Sequence, residues 1–225
     1  MKRWFCFFLM AVMLLMLVPF SAGAAQREPT RVIHVVYDDS GSMYIKSGVW
    51  SHAKYSMEVF AAMLGRNDRM SIYFMGDYDA QLHEEMNHFR VETAPGARMT
   101  LNGREGAITN VERLHVEKTD GGNTPFNSVR KAYWDLQQEE ADEKWLVILT
   151  DGQFEDGAIN TAYIDSFFAN KDPDIQVMFL AMGSEAGAIT AKEEEGIYFV
   201  HATDGKDILQ EITGICTRIF NSNRI

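Results

Sequence analysis

The chain has 225 residues, 46% hydrophobic and 24% charged, which is enough for one packed core and too evenly mixed for a disordered or low-complexity polymer. Its 32 acidic against 21 basic side chains give a formal net charge of −11, which argues against nucleic acid or an anionic membrane surface as a partner.

Residues 1–25 read as a separate object. Lys2 and Arg3 precede an almost unbroken apolar run from Trp4 to Phe20, followed by Ser21-Ala22-Gly23-Ala24-Ala25. That is the layout of a secretory signal peptide, with cleavage expected after Ala24 or Ala25. The alternative is an uncleaved anchor, but the run sits at the lower limit of a spanning helix, and Pro19 with the small residues after it favours removal. Removal takes Lys2, Arg3 and Cys6, leaving a still more acidic chain in which Cys216 is the only thiol and no intramolecular disulfide can form. Residues 26–30 form a short lead-in, 31–220 a single domain and 221–225 a tail.

Strand-like and helix-like segments then alternate. Residues 31–37 are β-branched and apolar, a buried strand. In 51–64, Ala53, Met57, Phe60 and Leu64 recur at helical spacing, with Gly65 placed as a C-terminal cap. Residues 69–75 form a second strand. Residues 76–103 carry short polar-apolar alternations compatible with an edge hairpin, and 105–116 read as a helix. A stronger helix covers 125–138, with Phe126, Val129, Tyr133 and Leu136 on one face. Residues 144–150 have the composition of a central strand; 158–170 are helical, 175–182 a strand and 197–200 a short strand. The last helix, 204–220, carries Ile208, Ile212, Ile215 and Ile219 at helical spacing. Such alternation predicts an α/β fold: a doubly wound, mostly parallel central sheet with helices on both faces.

Ligands of such sheets bind beyond the carboxyl ends of the strands. The first strand runs into Asp38-Asp39-Ser40-Gly41-Ser42-Met43, and the central one into Thr150-Asp151-Gly152. Between them, Gly121-Gly122-Asn123-Thr124-Pro125 opens a helix. Asp38, Ser40 and Ser42 are offset by two, so an extended loop aims all three at one point. Two carboxylates and three hydroxyls, from Asp38, Ser40, Ser42, Thr124 and Asp151, suit a hard divalent cation. Taken singly, each piece is also ordinary: a turn, an N-cap followed by proline, a turn after a strand. Together they place only oxygen ligands at one sheet edge.

Asp38-x-Ser40-x-Ser42, a later Thr124 after glycines, and Asp151-Gly152 after a hydrophobic strand resemble the metal-ion-dependent adhesion site of von Willebrand factor A domains, over about residues 31–220. The resemblance implies a Rossmann-like A-domain fold binding one divalent cation, Mg²⁺ with Mn²⁺ or Ca²⁺ as alternatives. It implies coordination by Ser40, Ser42 and Thr124, with Asp38 and Asp151 direct or through water. An open position would take an acidic oxygen from a protein or peptide partner. The resulting expectation is an exported, non-enzymatic binding or adhesion module, secreted or at the cell surface, with membrane association only through an uncleaved signal or a partner. Two rivals stand beside it. A metal-dependent hydrolase would need a general base or histidine cluster beside the ligands. The head of a larger membrane-linked assembly would need a separate partner chain, unless this sequence is a fragment of a longer one.

Other features carry less. His83 and His88 are five apart and diverge by about 140° on a helix, unlike a zinc-protease pair. The remaining histidines, His34, His52, His115 and His201, are scattered. Asp77-Tyr78-Asp79 reads as a solvated loop, Asp39 as turned away from the site by alternation, and 193–195 as a solvated helix end. Cys216, beside Ile215 on an apolar helical face, reads as a buried thiol. There is no phosphate-binding glycine loop and no nucleophile elbow.

Overall fold

The computed structural model describes residues 30–45, 49–65, 67–77, 98–102, 124, 126–151, 154, 159–183, 196–202 and 204–221. The strands are β1 (Arg31–Tyr37), β2 (Arg69–Phe74), β3 (Arg98–Asn102), β4 (Glu143–Thr150), β5 (Ile175–Met182) and β6 (Ile197–Ala202). The helices are α1 (Gly41–Ile45), α2 (Trp50–Met63), α3 (Asn127–Gln137), α4 (Thr161–Phe168) and α5 (Gly205–Asn221), with a 3₁₀ turn at Met75–Asp77. The strands form one sheet in the order β3-β2-β1-β4-β5-β6. All neighbours are parallel except β2 and β3, which run antiparallel.

β1 is buried along its whole length, as expected for a central strand covered on both faces. Alternation sends Ile33, Val35 and Tyr37 to one side, where they pack with α2 and α5. Val32 and Val36 go to the other side, with Phe126, Val129 and Leu136 of the α3 region and Ile164 and Phe168 of α4. The sheet is thus the middle of three layers, and the predicted doubly wound, mostly parallel architecture is the one observed. Among the described residues no helix is long and apolar enough to cross a membrane.

Several boundaries differ from the sequence-based expectation. β3 supplies an antiparallel edge strand within 76–103, whereas 78–97 and the expected helix 105–116 lie outside the described residues. α3 begins at Asn127 with Phe126 at its N-cap and no side-chain cap bond, so Thr124 is not the cap that Thr124-Pro125 resembles. α4 is shorter than 158–170: Asn160 caps it by accepting from the Tyr163 amide at 3.1 Å. Asp204 does the same for α5, accepting from the amides of Lys206 (2.8 Å) and Asp207 (3.0 Å).

Gly65 is a correction. α2 ends with Leu64 in an extended conformation (ψ 128°) at the C-cap, so no left-handed glycine closes it. Gly65 instead gives its amide to Asp68 Oδ2 at 2.8 Å, and a Cβ there would stand 3.2 Å from the same oxygen. Asp68 Oδ2 also receives Nη1 of Arg31 at 3.1 Å, tying the end of α2 to the start of β1.

Candidate metal centre

The chain leaves β1 toward β2 on one side and returns to β4 on the other, so the order of strands reverses between β1 and β4. A crevice opens at such a point beyond the strand ends. Asp38 is the first residue past β1, and its amide still donates to Leu149 O at 2.9 Å, extending the β1–β4 ladder by one step. Its carboxylate is fully buried and hydrogen-bonded on both oxygens. The Ser40 amide donates to Oδ1 at 3.0 Å and the Thr150 hydroxyl to Oδ2 at 2.7 Å.

A second chain of bonds joins the same two loops. Ser40 Oγ and Ser42 Oγ lie 2.8 Å apart, and Ser42 Oγ donates to Asp151 Oδ1 at 3.1 Å. A serine has one proton. Ser42 gives its proton to the carboxylate, and the Ser40 hydroxyl lies within reach of both Ser42 and Asp38. Asp38, Ser40 and Asp151 are buried, while Ser42 is half-buried.

Asp38, Ser40, Ser42 and Asp151 are therefore linked by hydrogen bonds. Thr124 is half-buried and precedes α3. The Phe126 ring, two residues later, meets Phe154 edge-on at 5.0 Å, three residues past Asp151. The start of α3 thus lies beside the segment that follows β4, on the sheet face toward which Val36 and Ile148 point.

Burial pushes the Asp38 carboxyl up to about 6; bonds from Ser40 and Thr150 oppose that rise, and the charge of Asp151 adds to it. Two acidic groups held together in a desolvated site form an arrangement that a divalent cation would stabilise. Hard carboxylate and hydroxyl oxygens suit Mg²⁺, Mn²⁺ or Ca²⁺ rather than a thiolate-seeking ion. Among the described residues there is no group of three or more His, Cys, Asp or Glu side chains placed to hold a metal, so any cation here depends on the hydroxyls.

Asp39 turns the other way, as alternation predicts: its Oδ1 accepts from the Gly76 amide at 2.7 Å, fastening the loop to the end of β2. His34 is a core residue, with Nδ1 2.9 Å from Ala132 O. Cys216 is buried and free, its thiol pushed up to about 12 by desolvation. His83, His88, His115, Asp79 and residues 193–195 lie outside the described residues. Thr150 is bonded into this cluster although sequence spacing alone does not select it. Its signal is the register: Tyr37 pairs with Leu149, so Asp38 and Thr150 are the next neighbours.

No known family profile matches the chain. A mouse (Mus musculus) protein, von Willebrand factor A domain-containing protein 8, is 26% identical over 199 residues, covering 87% of this chain. The match spans only 10% of that relative's length. Among solved structures, the von Willebrand factor domain of the type V pili tip protein Mfa5 from Porphyromonas gingivalis superposes with a TM-score of 0.54 at 11% identity, over 85% of this chain and 95% of that one. The fold is that of a von Willebrand factor A domain. A further structural neighbour is the pilus adhesin SpaC from Lactobacillus rhamnosus GG, with a TM-score of 0.57 and 12% identity, over 87% of this chain and 31% of the adhesin. In the A fold of this chain, the Asp38–Ser42 loop and Asp151 occupy the ends of the two strands at the sheet's switch point.

Proposed function

We propose that the chain is a non-enzymatic, metal-dependent binding module that acts outside the cytoplasm. One divalent cation, Mg²⁺ foremost, would be held by Ser40, Ser42 and Thr124 with Asp38 and Asp151, and would take a carboxylate from a protein or peptide partner. The observation that carries this reading is the Ser40–Ser42–Asp151 chain, which gathers hard oxygens from two separate strand ends beside the buried Asp38. Hydroxyl ligands bring no charge, so a bound cation keeps more of its own than in an all-carboxylate cage. On a chain of net charge −11, that cation would be a local attractor for an acidic group. The adhesin and pilus-tip neighbours support a role in protein binding, and the apolar leader at 1–25 supports export.

Calorimetric titration with Mg²⁺ and Mn²⁺ tests the site. Asp151→Ala, and Ser40→Ala combined with Ser42→Ala, should abolish binding while the circular dichroism spectrum of the fold is retained, because these groups lie past the ends of β1 and β4 and outside the sheet. Wild-type affinity in the Asp151 variant would overturn the assignment.

A further inference from the structure

We infer that Thr150 is a positioning residue for the cation site, acting through Asp38 rather than touching the metal. Val36 and Ile148 both face the α3 and α4 layer. Two residues further along each strand, Asp38 and Thr150 continue on that face as adjacent partners in the extended β1–β4 ladder. The Thr150 hydroxyl donates to Asp38 Oδ2 at 2.7 Å, with both residues buried. An ionised carboxylate offers no proton, so the direction of this bond is fixed.

The bond closes a ring. The Thr150 hydroxyl and the Ser40 amide both donate to Asp38, Ser40 Oγ pairs with Ser42 Oγ, and Ser42 donates to Asp151. Asp151 is the residue after Thr150, so the circuit begins and ends on consecutive residues of one strand end. With Ser40 on Oδ1 and Thr150 on Oδ2, the Asp38 carboxylate cannot rotate without losing a donor inside a desolvated site, where an unmet acceptor is costly. Holding that plane holds the Ser40 amide, and with it the two serine hydroxyls that would face the cation. Without the threonine hydroxyl, Asp38 Oδ2 would lose this donor, and the restraint that the carboxylate passes to the Ser40 amide would loosen.

Side chains that orient metal ligands from behind typically cost about 10–100-fold in metal affinity when lost. Thr150→Val keeps the branched shape and removes the donor; Thr150→Ser restores the donor. Because this role presupposes a cation at the site, Mg²⁺ affinity of the wild type is measured alongside, by calorimetry and by the Mg²⁺-induced rise in melting temperature. The expected result is wild-type binding, a loss of about tenfold or more in the valine variant and recovery in the serine variant. Should valine lower the metal-free melting temperature, the serine variant and the size of the Mg²⁺-induced rise still decide. A valine variant that binds Mg²⁺ as tightly as wild type, or a serine variant as weak as valine, overturns the positioning role while leaving the cation site intact. Absence of Mg²⁺ binding in the wild type overturns the cation site and this role with it.

Discussion

Asp38 makes two demands that conflict. Burial raises its carboxyl to about 6 from the ordinary 3.8, so without a cation the folded chain holds that proton more tightly than the unfolded chain does. The sign follows from proton linkage: between those two values the folded state binds more protons, so this group stabilises the metal-free fold as pH falls through 6 toward 4 and ceases to do so above 6. A cation needs the ionised form, so protons compete with it. Mg²⁺ affinity should therefore be flat above pH 7 and fall below about pH 6, by roughly tenfold per unit for one competing proton. Titrations at pH 7.5, 6 and 5 check this, with Asp38→Asn as the control that has no carboxyl proton at that position to compete. An affinity independent of pH across that range would show that Asp38 stays ionised without help. At this scale the sequence was legible wherever spacing alone sufficed. The two-residue offset of Asp38, Ser40 and Ser42 picked out groups that the structure brings together, although Ser42 lies in α1 and not on the extended chain that the offset suggested. Thr150 was not legible, because its role depends on the β1–β4 register, which no local pattern encodes.

The elements differ in how plainly they are written. β1 and β4 read easily because a strand covered on both faces is almost continuously apolar, and α5 because Ile208, Ile212, Ile215 and Ile219 keep one buried stripe. Their ends did not read easily. Thr124-Pro125 has the chemistry of a helix start, yet the helix starts after Phe126, whose ring is drawn into an aromatic cluster with Phe154, Tyr163 and Phe167. Gly65 has the chemistry of a cap, yet it serves the Asp68 carboxylate that Arg31 also binds. In both cases a tertiary contact outweighed a local preference of about 1 kcal/mol. The α5 stripe supports a direct test by urea denaturation. Ile212→Ala, at a position only 2% exposed, should cost about 2–5 kcal/mol. Leu209→Ala, at 44% exposed on the same helix, should change stability by no more than about 0.5 kcal/mol. Equal losses would mean that α5 does not pack as described.

For the molecule as a whole, the question is whether the strand-end cluster binds or catalyses. The A fold hosts the site but does not choose between these, since function resides in the site rather than the scaffold. The proposed binding reading is supported by the way the groups at the switch point are tied to one another and to the backbone. If the cation is a bridge to a carboxylate, Thr124→Ala should alter its coordination and act on the same element as chelation. The two perturbations would then be non-additive, with chelator costing the variant little beyond what the substitution already took. The Mg²⁺-dependent gain in melting temperature provides the readout: present in wild type, small in Thr124→Ala, absent from both in chelator. Turnover of ester, phosphate and peptide substrates would be followed in the same four conditions. A metal hydrolase would lose rate in the variant whether or not binding survived. Metal-dependent stabilisation without turnover is the expected outcome; turnover that needs Mg²⁺ and disappears in Thr124→Ala would replace the binding module with an enzyme.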